Sequence, residues 1–229
     1  MTMFMAAAAL LPAVVLMVYI YRHDTVEKEP MGLLVKLIGY GLLAAAGAMV
    51  LETVLELVLG LLVPAGSTLY LVLTAFVVVA GSEEGMKFLL LRRTWRHPAF
   101  NYRFDGVVYA VFVSLGFAAI ENVLYVFSYG LSVALPRALL SIPGHMSFAV
   151  VMGVFYARAR VHANRREWEG CRRDLRAAWV VPTLLHGFYD ACAMSESVWA
   201  VPVFLAFVAV TYTAVFRLIR KESAQDTPV

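Results

Sequence analysis

The stretch Leu69–Leu91 reads LYLVLTAFVVVAGSEEGMKFLLL, and its reading decides the fold. It has the length of a membrane-spanning helix, which needs about 20 mostly apolar residues. Yet Glu83, Glu84 and Lys87 sit inside it. A charge at bilayer depth costs roughly 2.5–3.5 kcal/mol on insertion scales, so a span that carries three must shelter them in protein. Glu83 and Lys87 are four residues apart and share a helix face. Glu84 points about 100° away from Glu83. One carboxylate can therefore pair with the lysine while the other faces a cavity.

Six further apolar stretches flank this one. They run near Phe4–Tyr21, Met31–Val63, Gly106–Phe127, Leu135–Tyr156, Ala178–Met194 and Val198–Leu218. The chain is 62% hydrophobic and 15% charged, against about 45–50% and about 25% in a soluble domain. This predicts an all-α, polytopic transmembrane bundle of about seven spans, folded as one domain over residues 1–221. The tail Glu222–Val229 reads as disordered. The second stretch is over-long and carries Gly39, Gly41 and Gly47, which suggests a break or tilt. A formal charge of +3 is too small to point to nucleic acid.

Sixteen of the 19 Lys and Arg residues fall between spans one and two, three and four, five and six, or after span seven. Only Arg137 lies on the other side. Lys and Arg mark cytoplasmic loops, so the N-terminus is expected outside and the C-terminus inside. The segment Arg158–Arg176, with Trp168, reads as a basic amphipathic helix that meets anionic headgroups. Cys171 and Cys192 are placed for neither a disulfide nor a metal site.

Glu121, His145, His186 and Asp190 also lie within the spans, beside Glu52 and Glu56 in the second half of the over-long stretch. Glu121 is followed by Asn122 and preceded one turn earlier by Phe117. Gly106, Gly116, Ala118 and Ala119 in the same span let another helix approach closely. His186 and Asp190 share a face one turn apart, where a carboxylate can orient the imidazole or join it on a metal. Each of these groups alone reads as a polar contact between helices. Together, none can face lipid, so they are expected to line one cavity near mid-membrane. Counting depth at ~1.5 Å per residue from each span's basic end opens that cavity toward the cytoplasm.

The motifs resemble those of the PrsW intramembrane proteases, a family named for a bacterial enzyme that cleaves an anti-sigma factor and distantly similar to the CAAX prenyl endopeptidases. The resemblance rests on Asp24 with Glu27-Lys28-Glu29-Pro30, on Glu83-Glu84-Gly85-Met86-Lys87, and on Phe117 to Asn122. His145-Met-Ser-Phe148 and His186 to Asp190 complete it. It implies hydrolysis of a peptide bond in a membrane-anchored substrate, such as an anti-sigma factor, by an integral protein of a bacterial cytoplasmic membrane. Catalytic residues would be Glu83, Glu84, Glu121, His145, His186 and Asp190, supported by Lys87, Asn122 and Phe117.

A His145–His186–Asp190 set with an open position suits zinc or another divalent metal. In a metal-free site the two histidines would instead stabilise the oxyanion. Glu84 is then the expected general base, since Glu83 is placed to pair with Lys87. Asn122 would donate to substrate. A proton-coupled transporter is the alternative from another class, because buried Glu, His and Asp also serve as relays. Transporters tend to carry internal repeats, and this sequence has none. A haem or quinone carrier and a non-catalytic scaffold are the remaining alternatives.

Overall fold

The computed structural model describes residues 2–229. Seven helices build it: α1 (Thr2–His23), α2 (Met31–Leu62), α3 (Thr68–Thr94), α4 (Arg103–Tyr129), α5 (Leu131–Asn164), α6 (Trp168–Met194) and α7 (Ala200–Ala224). The fold is the expected all-α polytopic bundle. Every helix except α6 is long and apolar enough to cross a membrane. In α6, Arg172, Arg173, Asp174 and Arg176 occupy the first half, and the apolar part begins only at Ala178.

The most buried helix is α4, which packs against α1, α2 and α5. Glycine permits two of these contacts. A methyl group on Gly153 would lie 2.5 Å from the Gly106 carbonyl oxygen, so α4 and α5 cross with their backbones touching. One on Gly116 would lie 2.7 Å from the Ile38 carbonyl oxygen, which brings α2 equally close to α4. Small residues at such crossings let helices pack tightly where lipid supplies no hydrophobic drive.

Two π-helical turns interrupt the regular winding, Thr74–Val79 in α3 and Arg137–Ser141 in α5. Each lies shortly before a site residue, Glu83 in α3 and His145 in α5. A π turn inserts a residue and re-aims every side chain that follows. Gly187 of α6 makes room for the first of them, since a methyl group there would strike the Phe76 ring at 2.4 Å.

Three sequence expectations change. First, α2 is unbroken, because in lipid a helix must satisfy its own backbone groups. Its Gly41 serves packing, with a methyl there 2.2 Å from the Val113 carbonyl oxygen, and Gly39 faces open space. Second, Arg158–Arg176 is not one helix: it covers the end of α5, a turn at residues 165–167 and the start of α6. The chain reverses at Arg166, φ 62°, and buried Asp174 gathers Arg158 at 3.4 Å and His162 at 3.5 Å across the turn. Third, the tail follows a defined course. The Arg103 N–H donates to the Thr227 carbonyl and the Val229 N–H to the Asn101 carbonyl, each at 3.0 Å.

Candidate active site

Lys87 lies at the centre of the polar cluster and is 1% exposed. Its Nζ donates to Glu84 Oε1 at 2.8 Å, Glu83 Oε2 at 3.0 Å and His145 Nδ1 at 3.1 Å. The Phe117 ring lies 4.1 Å below the ammonium. The lysine thus pairs with both carboxylates, at i−3 and i−4, where the sequence suggested one. The two acids then diverge. Glu84 is fully buried and lies 2.9 Å from His186 Nδ1. Glu83 reaches the cavity wall.

The two histidines are held alike. His145 turns Nδ1 inward to Lys87 and Nε2 outward to Glu121 Oε2 at 2.9 Å. Because Nδ1 accepts from an ammonium, the ring proton belongs on Nε2, which donates to Glu121. His186 turns Nδ1 to Glu84 and Nε2 to Asp190 Oδ2 at 3.3 Å. The ring centroids are 5.4 Å apart. Phe148 stacks on His186 at 4.9 Å, and Ser114 Oγ holds the His145 backbone carbonyl at 3.0 Å. The four helices α3 to α6 therefore deliver Glu83, Glu84, Glu121, His145, His186 and Asp190 to one place.

Asn122 is committed elsewhere. Its Nδ2 donates to the Ala9 carbonyl at 2.7 Å, and its Oδ1 accepts from Arg137 Nε at 2.8 Å. Arg137 also lies 3.2 Å from Glu121 Oε1 and 3.9 Å over the Tyr125 ring. In the sequence Arg137 marks topology only. Its isolation as the one basic residue on its side was the available signal.

The cavity has a volume of about 750 Å³ and is lined by Glu83, Glu121, His145, His186 and Asp190 among mostly apolar side chains. Tyr125, Arg137, Ser195 and Val201 border it, so it extends toward the ends of the helices opposite the arginine-rich turns. The depth count pointed the other way. It started α6 at Ala178, whereas the helix begins at Trp168, so His186 and Asp190 lie further from the basic end than counted.

Glu83, Glu84, His145 and His186 each offer one ligand atom, all within 4.8 Å of one another. Two nitrogens and two oxygens suit zinc. Glu84 Oε2 is buried with no hydrogen-bond partner. Each histidine rests its far nitrogen on a carboxylate, as metal-bound histidines do. The residues fit a divalent metal. Asp190 stands behind His186, outside this group, so the able set is Glu83, Glu84, His145 and His186 rather than His145, His186 and Asp190. Lys87 supplies the positive charge in the same space.

Known sequences agree with this geometry. Residues 29–216 match the profile described as "PrsW family intramembrane metalloprotease". The chain is 32% identical over 209 residues to a Protease PrsW of Geobacillus kaustophilus, covering 91% of this chain and 88% of that one. It is 33% identical over 210 residues to the Clostridioides difficile Protease PrsW, covering 89% and 85%. With the Bacillus subtilis Protease PrsW it shares 33% identity over 196 residues, 84% of each chain. No solved structure matches. These relatives do not favour the transporter reading. A buried Glu/His cluster inside a bundle of membrane helices, with this match over most of its length, means that the chain belongs to the PrsW family of intramembrane metalloproteases.

Proposed function

We propose that the chain cuts a membrane-anchored protein at the edge of the bilayer, an anti-sigma factor being the substrate the family resemblance suggests, with Glu83 as the general base. The observation that carries the choice of base is position. Glu83 is the acid of the Glu83–Glu84 pair that lines the cavity, while Glu84 lies behind it among Lys87 and His186. This reverses the assignment from i+4 spacing alone, because Lys87 takes both carboxylates.

Glu83 would take a proton from the attacking water and return it to the leaving amine. Glu84, His145 and His186 would hold a divalent metal, which when bound polarises the scissile carbonyl and lowers the pKa of water. Glu121 and Asp190 would fix the ring orientation of His145 and His186 from behind. Lys87 would keep the paired acids ionised in a dry site. The apolar cavity walls would exclude bulk water, which strengthens each of these interactions.

The test is cleavage of a single-span substrate by purified protein in proteoliposomes, with metal content read on the same samples. Glu83→Gln should lose about 10²–10⁴ in rate, the contribution of a positioned acid-base group, and keep its metal. Glu84→Gln should lose both. If Glu83→Gln cuts normally and Glu84→Gln is inactive with its metal retained, Glu84 is the base. If neither variant changes turnover, the proposed chemistry is wrong.

A further inference from the structure

The cavity carries one more acid, and the chemistry above does not use it. Glu52 projects from α2 into the cavity wall, on the row Leu42, Ala45, Met49 and Glu52. It lies about 8 Å past the midpoint of α2 at 1.5 Å per residue, within the ~15 Å half-thickness of the hydrocarbon core. Its neighbours Val50, Leu51 and Val54 are exposed apolar residues facing outward, as lipid-facing residues are. Glu52 is therefore a carboxylate at bilayer depth that turns from lipid into the cavity.

The other cavity charges are paired. Glu83 has Lys87 at 3.0 Å, Glu121 has Arg137 at 3.2 Å, and Asp190 has His186 at 3.3 Å. Among the described residues no Lys, Arg or His comes within ion-pair distance of Glu52. An ionisable group within a membrane is expected to face a partner or a water-filled path, and this bundle supplies no partner. The cavity that Glu52 faces is the one from which Glu83 meets the substrate.

We infer that Glu52 is a specificity-determining residue that receives a Lys or Arg side chain of the substrate segment, close to the bond that is cut. The inference rests on the protease reading above. A lysine or arginine suits the place because its apolar stem can lie along Ala45 and Met49 while its charge reaches the carboxylate. A mostly apolar cavity gives little discrimination among Leu, Met and Val, since a methylene is worth only about 1–3 kcal/mol. A single unpaired carboxylate does discriminate, by attracting cations and repelling acids.

Single-span peptides in nanodiscs, with Lys, norleucine or Glu placed at successive positions along the span, test this. Binding is read by fluorescence anisotropy and cleavage by mass spectrometry, for wild type, Glu52→Gln and Glu52→Lys. At one register the Lys peptide should bind wild type about tenfold tighter than the norleucine peptide, the factor a hydrogen bond to a charged group supplies. Glu52→Gln should erase that ratio, and Glu52→Lys should turn the preference to Glu. Gel-filtration and melting profiles matching wild type establish that the variants are folded. No register with a Lys preference, or a preference that survives Glu52→Gln, overturns the inference. So does a Glu52→Gln variant that slows all peptides equally with the binding ratio intact, which marks a proton relay instead. Lys peptides that bind with the expected preference and are never cut would count against the protease reading and leave the binding role standing.

Discussion

At the level of single residues, the site is a pair of histidines between two layers of charge. Lys87, Glu83 and Glu84 form the inner layer, and Glu121 and Asp190 stand behind. The outer carboxylates have a measurable consequence. Glu121→Gln and Asp190→Asn should each weaken metal affinity by about 10–100-fold, the usual cost of removing such a support, with the fold intact. Competition against a chelator of known affinity measures this; unchanged affinity in both variants would show that the histidines do not ligate. Lys87 gives a second handle. Removing one partner of a buried ionic cluster costs about 3–5 kcal/mol because the remaining charge is uncompensated. Lys87→Met should therefore unfold at a lower temperature than wild type in chelator. A bound divalent ion replaces the lost charge, so saturating zinc should recover much of the difference. A variant equally destabilised with and without zinc would argue that metal and lysine do not share this space.

Among the helices and their connections, the turn between α1 and α2 holds a second acidic group, at the arginine-rich end of the bundle. Asp24 and Glu29 are buried there beside Asp105, whose Oδ2 accepts from the Asn101 and Tyr102 N–H groups. Burial pushes the Asp24 carboxyl up to about 6. Burial, reinforced by the Asp105 charge, pushes Glu29 up to about 9. Both groups hold their protons more tightly folded than unfolded. The folded state binds the extra protons from the ordinary carboxyl range up to these values, so stability is greatest at acid pH and falls as pH rises through them. Melting temperature in detergent should drop as pH rises from about 4 to about 9, and Glu29→Gln should flatten the part above pH 6. A melting curve independent of pH in wild type would refute the burial of these acids.

The α-helical spans were plain in the sequence because lipid penalises every exposed polar group, which leaves long apolar runs with few exceptions. The same penalty made Glu83, Glu84, Glu121, His145, His186 and Asp190 stand out. What periodicity missed depends on local winding. The π turns at Thr74–Val79 and Arg137–Ser141 re-aim the residues after them, and no propensity announces a π turn. Which of Glu83 and Glu84 faces the cavity follows from that winding. The start of α6 at Trp168 was hidden by its arginines, and with it the direction in which the cavity opens.

Across the whole molecule, the connections gather by charge. Asn101 Nδ2 donates to Glu27 Oε2 at 2.9 Å, and the chain's last residue bonds the Asn101 carbonyl. The turns after α1 and α3 and the C-terminus therefore meet at one end, where basic residues concentrate. If Lys and Arg retention sets orientation, that end is cytoplasmic, the N-terminus is outside, and the cavity opens toward the outer face. Single cysteines in a background lacking Cys171 and Cys192 test it. Ser67→Cys and Ser197→Cys, on the turns after α2 and α6, should react with a membrane-impermeant maleimide in intact cells. Arg165→Cys, on the turn before α6, should react only after permeabilisation. The reverse pattern would turn the cavity mouth to the cytoplasm. It would also move the expected cut from the outer to the inner edge of the substrate's span, so labelling and cleavage-site mapping must agree.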